Sequence, residues 1–296
     1  MKCFHHNDMD GRSAASLVAY HEKTLMGENF IELDYSKEIP VDIIKNDETV
    51  YIVDYSFSAK TKLALDTILE ITPNVIWIDH HQTSMEFIER NPEYGNIKGI
   101  RSNDRCGAYL TYQYLFPDKP IPRYIELIDD YDRWVNAIPE SQLFKLGIDA
   151  QYDQSPTSAL WAQLFFHDIM SGAAGEHNVD SIINEGRIIN RFTSITNKFD
   201  YDRLAFRTTF RGHRCIVINK PGNSKVLCDI LEDPYCPYEF GIVYQFNGER
   251  YKYSIYGAIN SEVDCSKIAE AYGGGGHKKA AGFTTRCNLF EHCGIK

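Results

Sequence analysis

The stretch "NVIWIDHHQTS", residues 74–84, climbs through four apolar residues, Val75 to Ile78, and stops on Asp79, His80 and His81. A run of that length and composition reads as a buried β-strand. Three polar side chains at its end cannot all face a core. Three similar runs precede it: "KCF" (2–4), "FIEL" (30–33) and "TVYIVD" (49–54). Between them lie stretches such as "GRSAASLVAYHEKTL" and "SAKTKLALDTILE", whose apolar residues recur at helical spacing. Strand and helix alternate, which predicts βαβ units and a doubly wound, mostly parallel α/β sheet.

In an open α/β sheet, ligands bind beyond the carboxyl ends of the strands. Here those ends carry His5, His6, Asp8 and Asp10 after the first run, Asp54 after the third, and Asp79, His80 and His81 after the fourth. A later "LIDDYDRW" adds Asp129, Asp130 and Asp132. Gathered together without a counter-charge, these groups would repel or neutralise. A divalent cation removes that problem. Mixed Asp/His ligation without thiolate suits manganese, magnesium, iron or zinc, and the oxygen-rich balance favours the first two. The set exceeds what one ion needs, and two ions roughly 3.5–4 Å apart would use it. A strand-end aspartate also serves as a helix N-cap. That reading is open for Asp54, and it is the one adopted for Asp34 in the "DYS" after the second run.

Residues 105–127 read as helical, with a break near "FPDKPIP", and residues 141–200 as mostly helical. Beyond "NKFDYDR" the pattern alternates and is rich in Tyr, Phe, Ile and Thr, and "FNGE" signals a hairpin. The organisation expected is a catalytic domain over 1–145, a helical connector over 146–200, and a smaller mixed α+β domain with a β-rich sheet over 201–296. Net charge is −10 over 296 residues, divided as −13 in residues 1–200 and +3 in 201–296. The overall sign argues against a general duplex-DNA binder. A mildly basic last part suits an anionic ligand. Eight cysteines stand singly with no C-x-x-C pair, which reads as reduced, mostly core thiols. No targeting segment is recognised. The apolar patch "SALWAQLFFHDIM" is too short to span a bilayer, so a cytoplasmic protein with no membrane partner is expected.

The motifs resemble those of the DHH phosphoesterases. "IDHH" is similar to the signature that names the family, "HHNDMDG" to its first motif, "VYIVDYS" to its second and "LIDDYDRW" to its fourth. "YGGGGHKKAAGF", Tyr272 to Phe283, resembles the GGGGH motif of the DHH-associated domain. The resemblance implies two manganese ions, with magnesium or another divalent cation as substitute. His6 or His5, with Asp8, would hold one ion. Asp10, His80 and Asp130 would hold the other, and Asp54 would bridge both. Asp79 would orient the histidine pair and His81 would face the substrate phosphate. Gly274, Gly275, Gly276, His277 and Lys278 would bind substrate, as consecutive glycines allow backbone N–H groups close to a phosphate.

The reaction implied is hydrolysis of phosphodiester or phosphomonoester bonds by a two-metal-activated hydroxide. The substrate would be a short single-stranded oligonucleotide or a small nucleotide, as in oligoribonuclease or nanoRNase-type members. Cyclic or linear dinucleotides and nucleotide 3′,5′-bisphosphates are the alternatives. A non-catalytic nucleotide-binding protein is the reading from another class, and a homodimer is compatible with the chain.

Overall fold

The computed structural model describes residues 1–169, 179–221 and 224–291, with the side chains of 167–169, 224–225 and 228–229 outside that set. Two compact units result, Met1–Asn190 and Arg191–Lys296.

The first unit is built on a four-stranded sheet of β1 (Lys2–His6), β2 (Phe30–Leu33), β3 (Val50–Val53) and β4 (Val75–Ile78). The order is β2-β1-β3-β4 and every pair is parallel. Parallel strands covered on both faces need apolar residues at every position. All four residues of β3 are buried accordingly. Successive side chains divide between two cores. Cys3, Tyr51, Val53 and Ile78 join the core with α1 (Met9–His21) and α4 (Gly107–Leu115). Phe4, Val50, Ile52 and Trp77 join the other, with α2 (Lys62–Ile71) and α3 (Gln82–Arg90). The four expected strands and the doubly wound arrangement are present.

Three further helices follow: α5 (Arg123–Asp132), α6 (Ser141–Asp149) and α7 (Ala159–Ile169). The stretch read from sequence as a connector supplies Ile148, Trp161, Leu164, Ile182 and Ile183 to the α1 side of the core. Their burial explains why so much of 146–190 is apolar. The long helix α8 (Val179–Leu204) runs through the boundary between the units.

The second unit carries a mixed six-stranded sheet. Its strands are β5 (Ala205–Phe210), β6 (His213–Asn219), β7 (Phe240–Phe246), β8 (Tyr251–Gly257), β9 (Gly275–Gly276) and β10 (Ala280–Thr285), in the order β5-β6-β7-β8-β10-β9. Only β6 and β7 pair in parallel. The β7–β8 hairpin turns at Asn247-Gly248, with Gly248 at φ +98° as a tight turn requires. Short helices α9 (Cys228–Leu231) and α10 (Cys265–Glu270) complete the unit. Of the cysteines, Cys3, Cys106, Cys215 and Cys265 are buried, and no cysteine among the described residues is in a disulfide. The Cys228 side chain and Cys293 lie outside the described residues. Among the described residues, no helix is long and apolar enough to cross a membrane.

Candidate metal centre

The carboxyl ends of β1, β3 and β4 lie side by side, so residues far apart in sequence meet at one sheet edge. Three groups of donors have their ligand atoms within 4.8 Å of one another: His6, Asp8 and Asp54; Asp54, His80 and His81; Asp10, His80 and Asp132. Asp54 is shared by two groups and His80 by two.

Asp54 stands at the centre. It is 1% exposed, and neither carboxylate oxygen has a hydrogen-bond partner. The nearest ring nitrogens are His80 Nε2 at 3.2 Å, His81 Nδ1 at 3.9 Å and His6 Nδ1 at 4.0 Å. Burial, then repulsion from Asp10, Asp8 and Asp79, pushes its carboxyl well above the usual range. A buried, unpartnered carboxylate is costly unless something compensates it. Asp54 caps no helix, since α2 begins only at Lys62. It also adopts φ +54°, a left-handed conformation that Asp and Asn tolerate better than most residues. A divalent cation would satisfy both oxygens, so the donor set fits the expected group.

The surrounding side chains are held in place. Asp8 is both a cluster member and the N-cap of α1. Its Oδ1 accepts the Gly11 N–H at 2.9 Å and its Oδ2 lies 2.7 Å from His6 Nδ1. Against the effect of burial, these contacts bring its carboxyl down to about 2. Asp10 receives the first N–H groups of α4, with Gly107 N and Ala108 N each at 2.7 Å. A helix N-terminus favours an anion, so this carboxylate is fixed by a segment 97 residues away. Asp79 is buried and receives His81 Nδ1 at 2.8 Å and the Ser84 hydroxyl. Burial disfavours a charged His81, but the bond to Asp79 and the nearby Asp10 and Asp132 carboxylates raise its pKa overall.

Two residues of the expected ligand set are not in the cluster. His5 points to the opposite face of β1, as strand alternation requires. Its Nδ1 lies 2.8 Å from the His6 carbonyl, and burial lowers its pKa to about 4. His6 is the first-motif histidine that reaches Asp8 and Asp54. Asp130 also lies elsewhere, with Oδ1 accepting the Ala137 N–H at 2.8 Å. Asp132 takes the position expected for it, its Oδ2 3.4 Å from His80 Nε2. Residues two apart on a helix point about 200° from each other, so Asp130 and Asp132 cannot both face the site. Asp129 is used in structure, accepting Cys106 N at 2.7 Å and pairing with Arg105 at 2.9 Å. Asp34 closes its own turn by accepting Ser36 N.

Gly107 escaped the sequence reading. A Cβ there would lie 2.6 Å from Asp54 Cβ and 3.0 Å from Asp10 Oδ2. The absent side chain lets α4 approach both carboxylates. Gly107→Ala should therefore displace one of them, costing about 1–3 kcal/mol as overpacking does and weakening manganese binding. Calorimetric manganese titration alongside thermal melts checks this; unchanged affinity would show that the helix shifts freely.

In the second unit, the GGGGH segment forms β9 and the turn into β10. His277 N donates to Ala280 O at 2.7 Å, closing that turn. Gly274 and Gly276 pack against β10, where a Cβ would meet Gly282 O at 2.2 Å and Ala281 Cα at 2.5 Å. Gly275 has open space at its Cβ position. Lys278 pairs with Glu262 at 2.8 Å, and Lys279 Nζ is bonded to the carbonyls of Ala258 and Ser261. His277 and Gly275 are exposed.

No family model matches the chain. It is 26% identical over 298 residues to Uncharacterized protein R106 of Acanthamoeba polyphaga mimivirus, covering 94% of this chain and 66% of that protein. The chain thus spans just under two thirds of that relative's length. Among solved structures, the pGpG-specific phosphodiesterase PggH from Vibrio cholerae superposes with a TM-score of 0.56 at 14% identity, covering 96% of this chain and 92% of that one. The DHH domain of a member of the s1p family of ribosomal proteins gives a TM-score of 0.48 at 13% identity, covering 95% and 81%. The architecture, a parallel four-stranded domain followed by a mixed-sheet domain, is shared with that phosphodiesterase and is the one expected from the DHH-like motifs.

Proposed function

We propose that the chain is a divalent-metal-dependent phosphoesterase acting on short oligonucleotides or small nucleotides. The observation that carries this reading is Asp54, a buried carboxylate with two unpartnered oxygens, ringed by His6, His80, His81 and Asp10. His6, Asp8 and Asp54 would hold one ion, and Asp54, Asp10, His80 and Asp132 the other, with manganese as first choice and magnesium as substitute. When bound, such a pair lowers the pKa of water and neutralises charge developing on a phosphoryl group. His81, partly exposed and held by Asp79, would donate a hydrogen bond to a phosphate oxygen. Asp79 fixes which His81 nitrogen carries its proton, the usual contribution of a carboxylate behind an active-site histidine.

The neighbour that shares the fold is described as a pGpG-specific phosphodiesterase, which makes a linear dinucleotide the first substrate to test. The reading requires hydrolysis of such a dinucleotide with manganese and none after chelation. Absence of turnover across dinucleotides, short RNAs and nucleotide bisphosphates at saturating manganese would refute it.

Substrate binding by the second domain belongs to the same proposal, with His277 as the principal contact. His277→Ala should leave the turn intact, because His277 contributes to it through its backbone. Loss of a charge-assisted hydrogen bond of about 1.5–3 kcal/mol would lower kcat/KM on a dinucleotide about 10- to 150-fold. Manganese affinity, measured on the same variant, should not change. A drop in metal affinity would instead make His277 a support of the centre, and full activity would make it a turn residue only.

A further inference from the structure

We propose that Tyr35 is the platform on which a nucleobase stacks beside the reacting phosphate. The inference rests on the phosphoesterase reading and specifies its substrate as one that carries an aromatic base. β2 lies next to β1, with Leu33 paired to His6, so Tyr35 leaves the sheet at the edge where the donor cluster forms. Its ring centroid lies 5.3 Å from that of His6 and 6.3 Å from that of His81.

The ring is 53% exposed yet held on two sides. Its inner face stacks on Tyr55 at 4.9 Å and an interplanar angle of 18°. Its hydroxyl lies 3.0 Å from Ser56 Oγ and accepts the Ser56 N–H at 3.3 Å. Tyr55 is fully buried and meets Phe57 edge-on at 5.7 Å, and Phe57 meets Trp77 edge-on at 5.2 Å. Trp77 Nε1 donates to Tyr55 O at 3.0 Å, tying the column to the sheet. An aromatic column therefore runs from the core to a half-exposed ring beside the cluster.

A ring held in this way loses little entropy when a flat ligand lies on it. Inorganic or purely aliphatic phosphates would leave it unused, whereas every nucleobase presents a π-face to it. The hydroxyl is already engaged by Ser56, so the ring face is what Tyr35 offers a ligand. Stacking of this kind tolerates any base, which predicts weak discrimination among dinucleotide sequences at this position.

The test compares wild type, Tyr35→Ala and Tyr35→Trp on a dinucleotide and on its analogues lacking one base or the other. Tyr35→Ala should lower kcat/KM on the intact dinucleotide about 5- to 150-fold, the range of one lost base stack. Tyr35→Trp should recover most of it. Removing the stacked base should cost wild type a similar factor, and the two losses should not add in the doubly changed pair. Fully additive losses, or no loss in Tyr35→Ala, would overturn the proposal. Calorimetric binding of a phosphorothioate dinucleotide is measured in parallel, so that Tyr35 is read even without turnover. Weaker binding by Tyr35→Ala than by wild type, rescued by Tyr35→Trp, supports the platform even if the phosphoesterase reading fails. Equal binding, or none by any of the three, refutes it. Manganese titration of each variant identifies loss caused by a damaged centre, which would also count against stacking.

Discussion

Asp54→Asn should abolish manganese-dependent turnover, by at least about a thousandfold, or 4 kcal/mol of transition-state stabilisation, while making the metal-free protein no less stable. Asparagine is the informative replacement because it tolerates the left-handed backbone at this position, φ +54°. It keeps the shape and removes a carboxylate surrounded by Asp8, Asp10, Asp79 and Asp132. The wild-type protein should gain thermal stability on adding manganese, by about 4 kcal/mol when the ion is at a thousand times its Kd. The variant should lose most of that gain.

A pH dependence follows from the same carboxylates. Burial, followed by Asp10 and Asp8, lifts the Asp132 carboxyl to about 8, and Asp54 is also raised. Unfolded aspartates titrate near about 3.9. The stability linked to these raised groups is therefore fully present below that value and is lost as pH rises through about 8. His5, lowered to about 4 by burial, contributes with the opposite sign up to its unfolded value near about 6.5, so metal-free protein should melt at progressively lower temperature between about pH 6.5 and 8. The manganese-induced rise in Tm should be larger at pH 8 than at pH 5. Melts with and without chelator decide both points, and a metal-free Tm that climbs from about pH 6.5 to 8 would contradict this electrostatic account of the centre.

The second large effect separates two neighbouring aspartates. Asp132→Asn should weaken manganese binding at one of the two ions at least 10- to 100-fold, the loss typical even of residues that only support a ligand, and reduce turnover with it. Asp130→Asn should change manganese affinity by less than about threefold, well inside that range. Its cost should be in stability, through the bond to Ala137 N. Titration of both variants with manganese distinguishes them. A reversed pattern would mean that α5 rotates on metal binding.

These two residues also mark how far the sequence could be read. Strand-end residues were legible because a strand has only two faces and one exit. His6, Asp8, Asp10, Asp54, Asp79, His80 and His81 all lie at the sheet edge where the pattern put them. "LIDDYDRW" offered three aspartates on a helix, and α5 is buried on almost every side, from Tyr124 to Asp130. Arg123 and Glu126 are exposed on its outer face, but motif spacing alone could not say which of the three aspartates turns to the site. His5 and His6 were ambiguous for a related reason, since motif spacing alone does not fix which face of β1 the cluster uses. Gly107 was invisible because its role depends on contacts with Asp10 and Asp54, made by a helix start with no local signature. Tyr35 was passed over because Asp34 beside it reads as a helix cap, whereas no helix follows directly and Asp34 instead closes a turn on Ser36 N.

Asp10, anchored on the N–H groups of Gly107 and Ala108, bears on how the protein is made. On a ribosome the first strand and its acidic motif emerge long before α4, and Asp132 later still. Until then Asp10 lacks the N–H groups that fix it, and the domain folds as a unit. Metal affinity gathered across such distant segments arises only with the folded unit. The ion that Asp10, His80 and Asp132 would hold could therefore load only once the unit has folded, a late, post-synthetic event set by the divalent ions then available.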